Sequence, residues 1–437
     1  MIFSLDVRRA RKGDCLLLHF GSENDPGLVL IDGGPRGVYK PHLRPRLQEI
    51  RDARGLTDQD SLQVDLLMIS HVDDDHMQGI LDLTKEEIVT ANAQQPRLVN
   101  ILSLWHNSFD EIIDHTPEEL TAAFTAHFGP ASTAGAGLPD DAVREVEEES
   151  SEDLEVVQSG LEVLASIPQG FQLRRDAERL GYPLNPDFDG KLIIARENGE
   201  SIDAGGGLTL TVAGPMKPEL LKLQKKHNDW LKKLKREGKT PPAALAAYVD
   251  PSVPNLSSLV VLAESGDKSV LLTGDARGDK ILEGLELVGL IEPNGQMEVD
   301  VLKVPHHGSD NNLDDDFFER IIAKHYVFSG NGEHGNPERA SLEMLFNARG
   351  SEPIIVHLTY PIDEIDVERK KNWEKEQAKE KTKKLTKPAT IVRPNWSPTK
   401  HGLVAFFADT QLADGQEVRI VDEIDAHVID LLDPLQR

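Results

Sequence analysis

Ser70-His71-Val72-Asp73-Asp74-Asp75-His76-Met77-Gln78-Gly79 follows directly on the apolar run Val64-Asp65-Leu66-Leu67-Met68-Ile69. The run reads as a buried strand, and the segment after it places two His and three Asp within six positions. A strand that ends in such a cluster delivers its side chains to one point at a sheet edge. Imidazole nitrogen and carboxylate oxygen together suit zinc, manganese or iron. An acidic, solvated loop with incidental histidines has the same composition. What separates the two readings is whether other strand ends carry matching groups.

Three more do, in chain order. Leu28-Val29-Leu30-Ile31 ends in Asp32-Gly33-Gly34, Leu271-Leu272-Thr273-Gly274 ends in Asp275, and Val301-Leu302-Lys303-Val304-Pro305 ends in His306-His307-Gly308-Ser309. A lone Asp at a strand end caps a turn, and a lone His pair is a surface or core group. Four such ends around one His/Asp cluster resist that account.

Composition narrows the class. The chain has 437 residues, 39% of them hydrophobic, enough for a sizeable core, and a formal net charge of −27. Such charge argues against general attraction to nucleic acid or an anionic membrane. With one cysteine, Cys15, neither an intrachain disulfide nor a cysteine-rich zinc site is available. The N-terminal residues carry charge where a signal peptide is apolar, and no apolar run approaches the roughly 18–20 residues of a membrane span. The expectation is a soluble, cytoplasmic protein.

Along the chain, short strands fill the first hundred residues, with a helix from Pro41 to about Ala53, a short helix from Met77 to about Leu83, and a buried strand over Arg97–Trp105. From about 107 to 200 the pattern gives way to an acidic, helix-prone insert, in which Glu145, Glu147, Glu148, Glu149, Glu152 and Asp153 read as a solvated face. Strands return at 208–213, 258–262, 269–272 and 299–304. Lys217–Lys239 reads as a basic amphipathic helix, either a solvated surface or a local patch for a phosphate backbone. A second charged helix, about Val367–Leu385, alternates Glu and Lys and reads as exposed and salt-bridged.

The motif set resembles the metallo-β-lactamase superfamily, whose signature is His-x-His-x-Asp-His, then an Asp after a Thr-Gly-like turn, then a late His. His71, Asp75 and His76 match it, Asp73 stands at the second His, Asp275 matches the metal-bridging Asp, and His306 or His307 the last His. Within the superfamily the chain is similar to the metallo-β-lactamase domain of the bacterial competence (DNA-uptake) channel proteins, ComEC. The similarity rests on Gly13-Asp14-Cys15-Leu16-Leu17, Leu30-Ile31-Asp32-Gly33-Gly34, Ser70 to Gly79, Asn255 to Val260, Leu271 to Asp275 and Leu302 to Ser309.

The resemblance implies an α/β (α+β) fold, a four-layer αββα metallo-β-lactamase sandwich. Residues 1–106 and 200–345 would form its halves, 107–199 the acidic helical insert, and 346–437 a mixed C-terminal segment packed on the second half. It implies two divalent ions, zinc or manganese, about 3.5–4 Å apart. One would take His71 and Asp73, the other Asp75, His76 and one of the pair His306/His307, with His307 counted among the ligands and Asp275 bridging. Asp75, His306 and His307 are the candidate catalytic groups. His106, His334, Asp32 and Asn255 are candidates to line the site, Asp32 by holding a ligand loop, while Asp74 would face the other way along an extended loop. The family's further His ahead of the bridging Asp is missing from Val253-Pro254-Asn255-Leu256-Ser257-Ser258.

The implied activity is metal-dependent hydrolysis, most simply a phosphodiesterase or nuclease acting through a metal-bridging hydroxide. The alternatives are hydrolysis of a small ester or cyclic nucleotide, and a partner-dependent subunit of a defence or toxin-like system. Nucleic acid or another phosphodiester is the candidate substrate. The insert and charged helices are candidate surfaces for a protein partner.

Overall fold

Strands of this chain alternate their apolar side chains between two different cores, so most are covered on both faces. In β2 (Leu16–Ser22), Leu16, Leu18 and Phe20 face one core and Leu17 the other; in β3 (Asp25–Ile31), Val29 and Ile31 oppose Leu28 and Leu30. A period of two places alternate residues on opposite faces, and burial of both faces gives near-continuous apolar runs. The computed structural model describes residues 1–71, 73–107, 169–221, 225, 257–422 and 426–435.

Two large sheets result. The first has the order β16 (His427–Asp430), β1 (Ile2–Val7), β2, β3, β5 (Leu66–Met68), β7 (Leu104–Trp105). The second runs β15 (Glu417–Ile420), β14 (Ile355–Leu358), β13 (Ile321–Phe328), β12 (Met297–Lys303), β11 (Lys268–Leu272), β10 (Val260–Ser265), β9 (Thr209–Gly214), β8 (Ile202–Asp203). Phe3, Leu5, Leu18 and Val29 of the first sheet share a core with Leu210, Val261, Val270 and Val301 of the second. The outer face of the first sheet packs on α1 (Arg44–Ala53), α2 (Asp74–Asn92) and α3 (residues 169–180) through Leu47, Ile80 and Leu173. The outer face of the second packs on α4 (Gly278–Leu287), α5 (Asp315–Arg320), α6 (Arg339–Arg349), α7 (Ile362–Thr386) and α8 (Leu403–Asp409) through Ile281, Phe317, Leu345, Ile365 and Phe406. The architecture is a mixed α/β sandwich, two sheets face to face with helices outside each.

Several elements differ from the sequence expectation. The run Val64–Ile69 is broken at Asp65, whose carboxylate accepts the Leu28 N–H at 2.8 Å. β4 (Leu62–Val64) pairs with β6 (Val99–Ile101) in a separate two-stranded ladder, while β5 continues into the main sheet. The single strand expected over Arg97–Trp105 is therefore two, β6 and β7. α2 runs from Asp74 to Asn92 rather than over a short stretch from Met77, because Asp73 sits at its N-cap and Asp74 and Asp75 occupy its first turn, where carboxylates favour the helix dipole. Asp74 is thus helical, not extended, and accepts a hydrogen bond from Gln169 Nε2 at 2.8 Å.

The acidic cluster at 145–153 and most of the basic segment 217–239 lie outside the described residues. Among the described residues no helix is long and apolar enough to cross a membrane.

Pairings β3–β5, β11–β12 and β12–β13 are parallel, and β1 runs in the direction of β3 because both are antiparallel to β2. In each sheet, then, the strand ends that carry chemistry open onto one edge. Glycine lets them approach. A Cβ on Gly79 would lie 1.9 Å from the Gly33 carbonyl oxygen, and one on Gly13 1.8 Å from that of Asp75.

Candidate metal centre

His76 enters the site from the first turns of α2, and its ring orientation is set by the end of β3. Its Nδ1 lies 2.9 Å from Asp32 Oδ2, while Asp32 Oδ1 accepts the Ser70 N–H at 2.8 Å and Oδ2 accepts the Ser70 hydroxyl in a short bond. With the Nδ1 proton held by a carboxylate, Nε2 presents its lone pair. That lone pair faces Asp275 Oδ1 at 3.2 Å, with Asp75 Oδ1 at 3.9 Å.

His307 repeats the arrangement from the end of β12. Its Nδ1 lies 3.3 Å from Ser329 Oγ, and Ser329 donates a short hydrogen bond to Asp14. His307 Nε2 stands 3.5 Å from Asp275 Oδ1 and 3.9 Å from Asp75 Oδ2. The Asp14, His76, Asp275 and His307 ligand atoms all lie within 4.8 Å of one another, and all four residues are buried.

The donors fit a divalent cation. His76 Nε2, His307 Nε2 and Asp275 Oδ1 are buried and, among the described residues, have no hydrogen-bond partner. Lone pairs and a carboxylate oxygen brought together and unsatisfied are costly in a dry interior unless a cation sits among them. The hydrogen bonds that the two Nδ1–H groups donate to Asp32 and Ser329 fix the tautomer of a ligating imidazole from behind.

The charges show the same tension. Burial alone would push His76 down, yet the Asp275 and Asp32 carboxylates outweigh it and hold the ring well above the ordinary histidine value. Burial is likewise outweighed at His307, where Asp275 and Asp14 bring the ring to about 9, and at His71, where Asp73 does the same to about 9. Burial works to raise Asp275, but His307, His76 and His306 hold it well below the usual carboxylate range. Burial dominates at Asp32 and raises it.

A second donor pair adjoins the first. His71 Nδ1 lies 3.2 Å from Asp73 Oδ2, and the His71 ring centroid is 5.7 Å from that of His76. Although Asp73 occupies the N-cap of α2, its side chain makes no capping bond, so the carboxylate is spent on the site rather than on the helix end.

The His306/His307 pair divides. His307 is within the buried group, while His306 is a quarter exposed, lines the cleft above it and has Nε2 3.8 Å from Asp275 Oδ2. Asp32, His306, His307 and His334 are four of the ten described non-glycine residues with left-handed backbone, a conformation kept where the surroundings enforce it.

The remaining sequence candidates separate. His334 lines the cleft, with Nε2 3.2 Å from Lys12 Nζ. His106 is buried near the start of α3 and is absent from the cleft lining; burial first, and Arg174 second, push it down to about 3. Asn255 lies outside the described residues.

Sequence reasoning took Gly13-Asp14 only as a carrier of the resemblance and did not count Asp14 among the site residues, because it lies in the turn ahead of β2 rather than at a strand end. It also passed over Lys303, whose buried ammonium lies 2.7 Å from Asp14 Oδ2. Burial raises Asp14, and Lys303 and His307 more than reverse it.

The cleft above the cluster has a volume of about 320 Å³, at the small end of the range for small-molecule sites. One wall comes from α7 and the chain beyond it, including Trp373, Glu376, Arg393 and Trp396. The expectation of a merely exposed α7 holds for one face, with ion pairs such as Lys371–Glu368 at 2.6 Å. The other face closes the cleft.

A scan against family models finds no match. The chain is 36% identical to ComE operon protein 3 of Bacillus subtilis (strain 168) over 98 residues, which is 22% of this chain and 12% of that protein's length. A crystal structure from Parabacteroides distasonis ATCC 8503, of a protein assigned as a metal-dependent hydrolase, aligns over 82% of this chain and 98% of its own, at 9% identity and a TM-score of 0.29.

Proposed function

We propose that this protein is a metal-dependent phosphodiesterase of the metallo-β-lactamase superfamily, in the branch similar to the hydrolase domain of ComEC proteins. The carrying observation is the unsatisfied meeting of His76 Nε2, His307 Nε2 and Asp275 Oδ1, each ring held from behind by a carboxylate or a carboxylate-bound serine. The sequence match to ComE operon protein 3 supports the branch over the stretch it covers.

In this reading Asp75, His76, His307 and Asp275 would hold one divalent ion, and His71 and Asp73 would contribute to a second. Bound there, the ions supply hydroxide at neutral pH and neutralise charge on a phosphoryl group. The mixed carboxylate–imidazole set is compatible with manganese as well as zinc.

The chain's own residues do the rest. Asp32, Asp14 and Ser329 keep the two imidazoles in the ligating tautomer. His306 stands on the cleft side of Asp275, where it can carry a proton to the leaving oxygen. Lys12, another cleft residue, offers an ammonium to a phosphoryl oxygen. A cleft of about 320 Å³ and a net charge of −27 favour a nucleotide-sized or single-stranded phosphodiester over duplex nucleic acid.

The test is hydrolysis of bis(p-nitrophenyl) phosphate and of labelled single- and double-stranded DNA and RNA, with zinc or manganese, beside His76→Ala and Asp275→Ala. Metal-dependent turnover lost in both variants supports the assignment. Metal bound without turnover of any substrate refutes it and favours the partner-dependent subunit.

A further inference from the structure

Two neighbouring residues of the turn between β1 and β2 meet two neighbouring residues of the loop after β13. The Arg11 guanidinium donates to the Glu333 carboxylate through Nη2 at 2.7 and 3.0 Å and through Nε at 3.2 Å. Beside it, Lys12 Nζ lies 3.2 Å from His334 Nε2. The turn is held without help from the Lys12 side chain. The Arg11 N–H donates to the Tyr360 hydroxyl at 2.8 Å, and Gly13 packs directly on the Asp75 backbone. The loop is likewise held without the His334 ring. Asn331 Nδ2 donates to Glu333 at 2.9 Å, Asn331 Oδ1 accepts the Glu333 N–H at 3.1 Å, and Arg369 Nε donates to the Gly335 carbonyl at 3.0 Å.

With the backbone fixed by those contacts, the Lys12–His334 contact is not required to hold either segment. Both side chains instead line the cleft, together with Asp75 and His306. Each is half-buried, so the ammonium stays within reach of a ligand. Burial raises the Asp75 carboxyl, and among the surrounding charges Lys12 does most to bring it down. The ammonium therefore stands at the metal-centre end of the cleft. An ammonium has three donors and no acceptor. Its contact with Nε2 requires a lone pair there, so the His334 ring is neutral and carries its proton on Nδ1. A lysine head on a flexible four-carbon stem is otherwise ordered only when its ligand arrives, and a side chain ordered beforehand loses less freedom on binding.

We infer that His334 is a positioning residue for phosphodiester binding: its Nε2 lone pair holds the Lys12 ammonium beside the metal centre, with the remaining N–H groups left for a non-bridging phosphoryl oxygen. His334 acts in this role through Lys12 and not on the substrate itself. The inference rests on the phosphodiesterase reading for the identity of the anion. It adds which residue turns a flexible lysine into a fixed phosphate contact.

The experiment is calorimetric titration of the full-length, manganese-loaded protein with inorganic phosphate. It compares the wild type with Lys12→Met, His334→Phe, His334→Gln and the double variant Lys12→Met, His334→Phe. Lys12→Met is expected to weaken phosphate binding about tenfold, the low end for a lost hydrogen bond to a charged group. His334→Phe weakens it several-fold with bound metal unchanged, and His334→Gln, which keeps an acceptor, restores most of that loss. The double variant binds phosphate no more weakly than Lys12→Met, because residues that act through one contact do not add. No phosphate binding by the wild type, wild-type affinity in Lys12→Met or His334→Phe, additive losses in the double variant, metal loss in His334→Phe, or no recovery in His334→Gln overturns the inference. Turnover of bis(p-nitrophenyl) phosphate by the wild type reports separately on the hydrolase reading. Turnover with phosphate binding indifferent to both residues sinks this inference alone. The expected pattern of phosphate binding without turnover of any substrate sinks the other alone.

Discussion

His76 Nδ1 and Asp32 Oδ2 are 2.9 Å apart although 44 residues separate them in the chain. The contact joins the end of β3 to the first turns of α2 and decides which imidazole nitrogen faces the site. Asp32→Asn can keep the size and one acceptor oxygen but removes the charge that holds the Nδ1 proton. Outer-shell substitutions of this type cost about 10–100-fold in metal affinity. Competition titration with a chromogenic chelator should show that loss for zinc while the melting curve stays cooperative. An unchanged affinity would mean that Asp32 only supports the Ser70 turn.

His306 and His307 are adjacent, yet their surroundings assign them different work. His307 Nε2 is buried and within 3.5 Å of Asp275, and His306 lines the cleft. His307→Ala should reduce bound metal, read by elemental analysis after dialysis. His306→Ala should keep the metal and lower kcat about 10²–10⁴-fold, the range for a lost general acid or base. Equal metal loss in both variants would contradict this division.

Much of this centre is legible in the sequence because strand ends and site residues coincide. Asp32, His71 to His76, Asp275 and His306-His307 each follow an apolar run, and parallel pairing brings those ends to shared edges. Asp14 escaped notice because it lies in a turn between antiparallel strands, where a carboxylate ordinarily caps the turn. Its 2.7 Å contact with Lys303, 289 positions away, and its place in the buried group with His76, Asp275 and His307 distinguish it. The C-terminal wall was illegible for another reason. The Glu and Lys of α7 alternate as on any solvated helix, and what makes Trp373 and Glu376 different is the segment 393–401 folding back on them. Tertiary contact of that kind leaves no period in the sequence.

Lys303 and Asp14 form an ion pair that is almost wholly buried, at 1% and 2% side-chain exposure. Removing one partner of such a pair leaves an uncompensated charge and costs about 3–5 kcal/mol. Lys303→Met should therefore lower unfolding stability by that amount in a urea titration. The double variant Lys303→Met, Asp14→Asn should recover part of it, since the stranded carboxylate is gone. If the single variant is as stable as the wild type, the ammonium contributes nothing net to folding.

Three histidines away from the metal centre predict how stability changes with pH. His325 Nδ1 meets His357 Nε2 at 3.0 Å, and His357 Nδ1 meets His427 Nε2 at 2.7 Å, so one ladder joins β13 and β14 of the second sheet to β16 of the first. Each contact needs one N–H and one lone pair, and protonating His357 would set two N–H groups against each other. Burial, then the neighbouring His427 and His325 rings, push His357 down to about 2; burial and Lys324 push His325 down to about 4. Both folded values lie below the unfolded value of about 6.5. The unfolded chain therefore binds more protons, and stability falls as the pH drops below about 6.5. Each ring contributes up to about 1.4 kcal/mol per pH unit. Between pH 6.5 and 4.5, above the range where most carboxylates titrate, denaturant titrations should show this slope, and His357→Phe should flatten it by about one proton. A wild-type stability that is level across that window would mean that the ladder opens to water and takes up protons without strain.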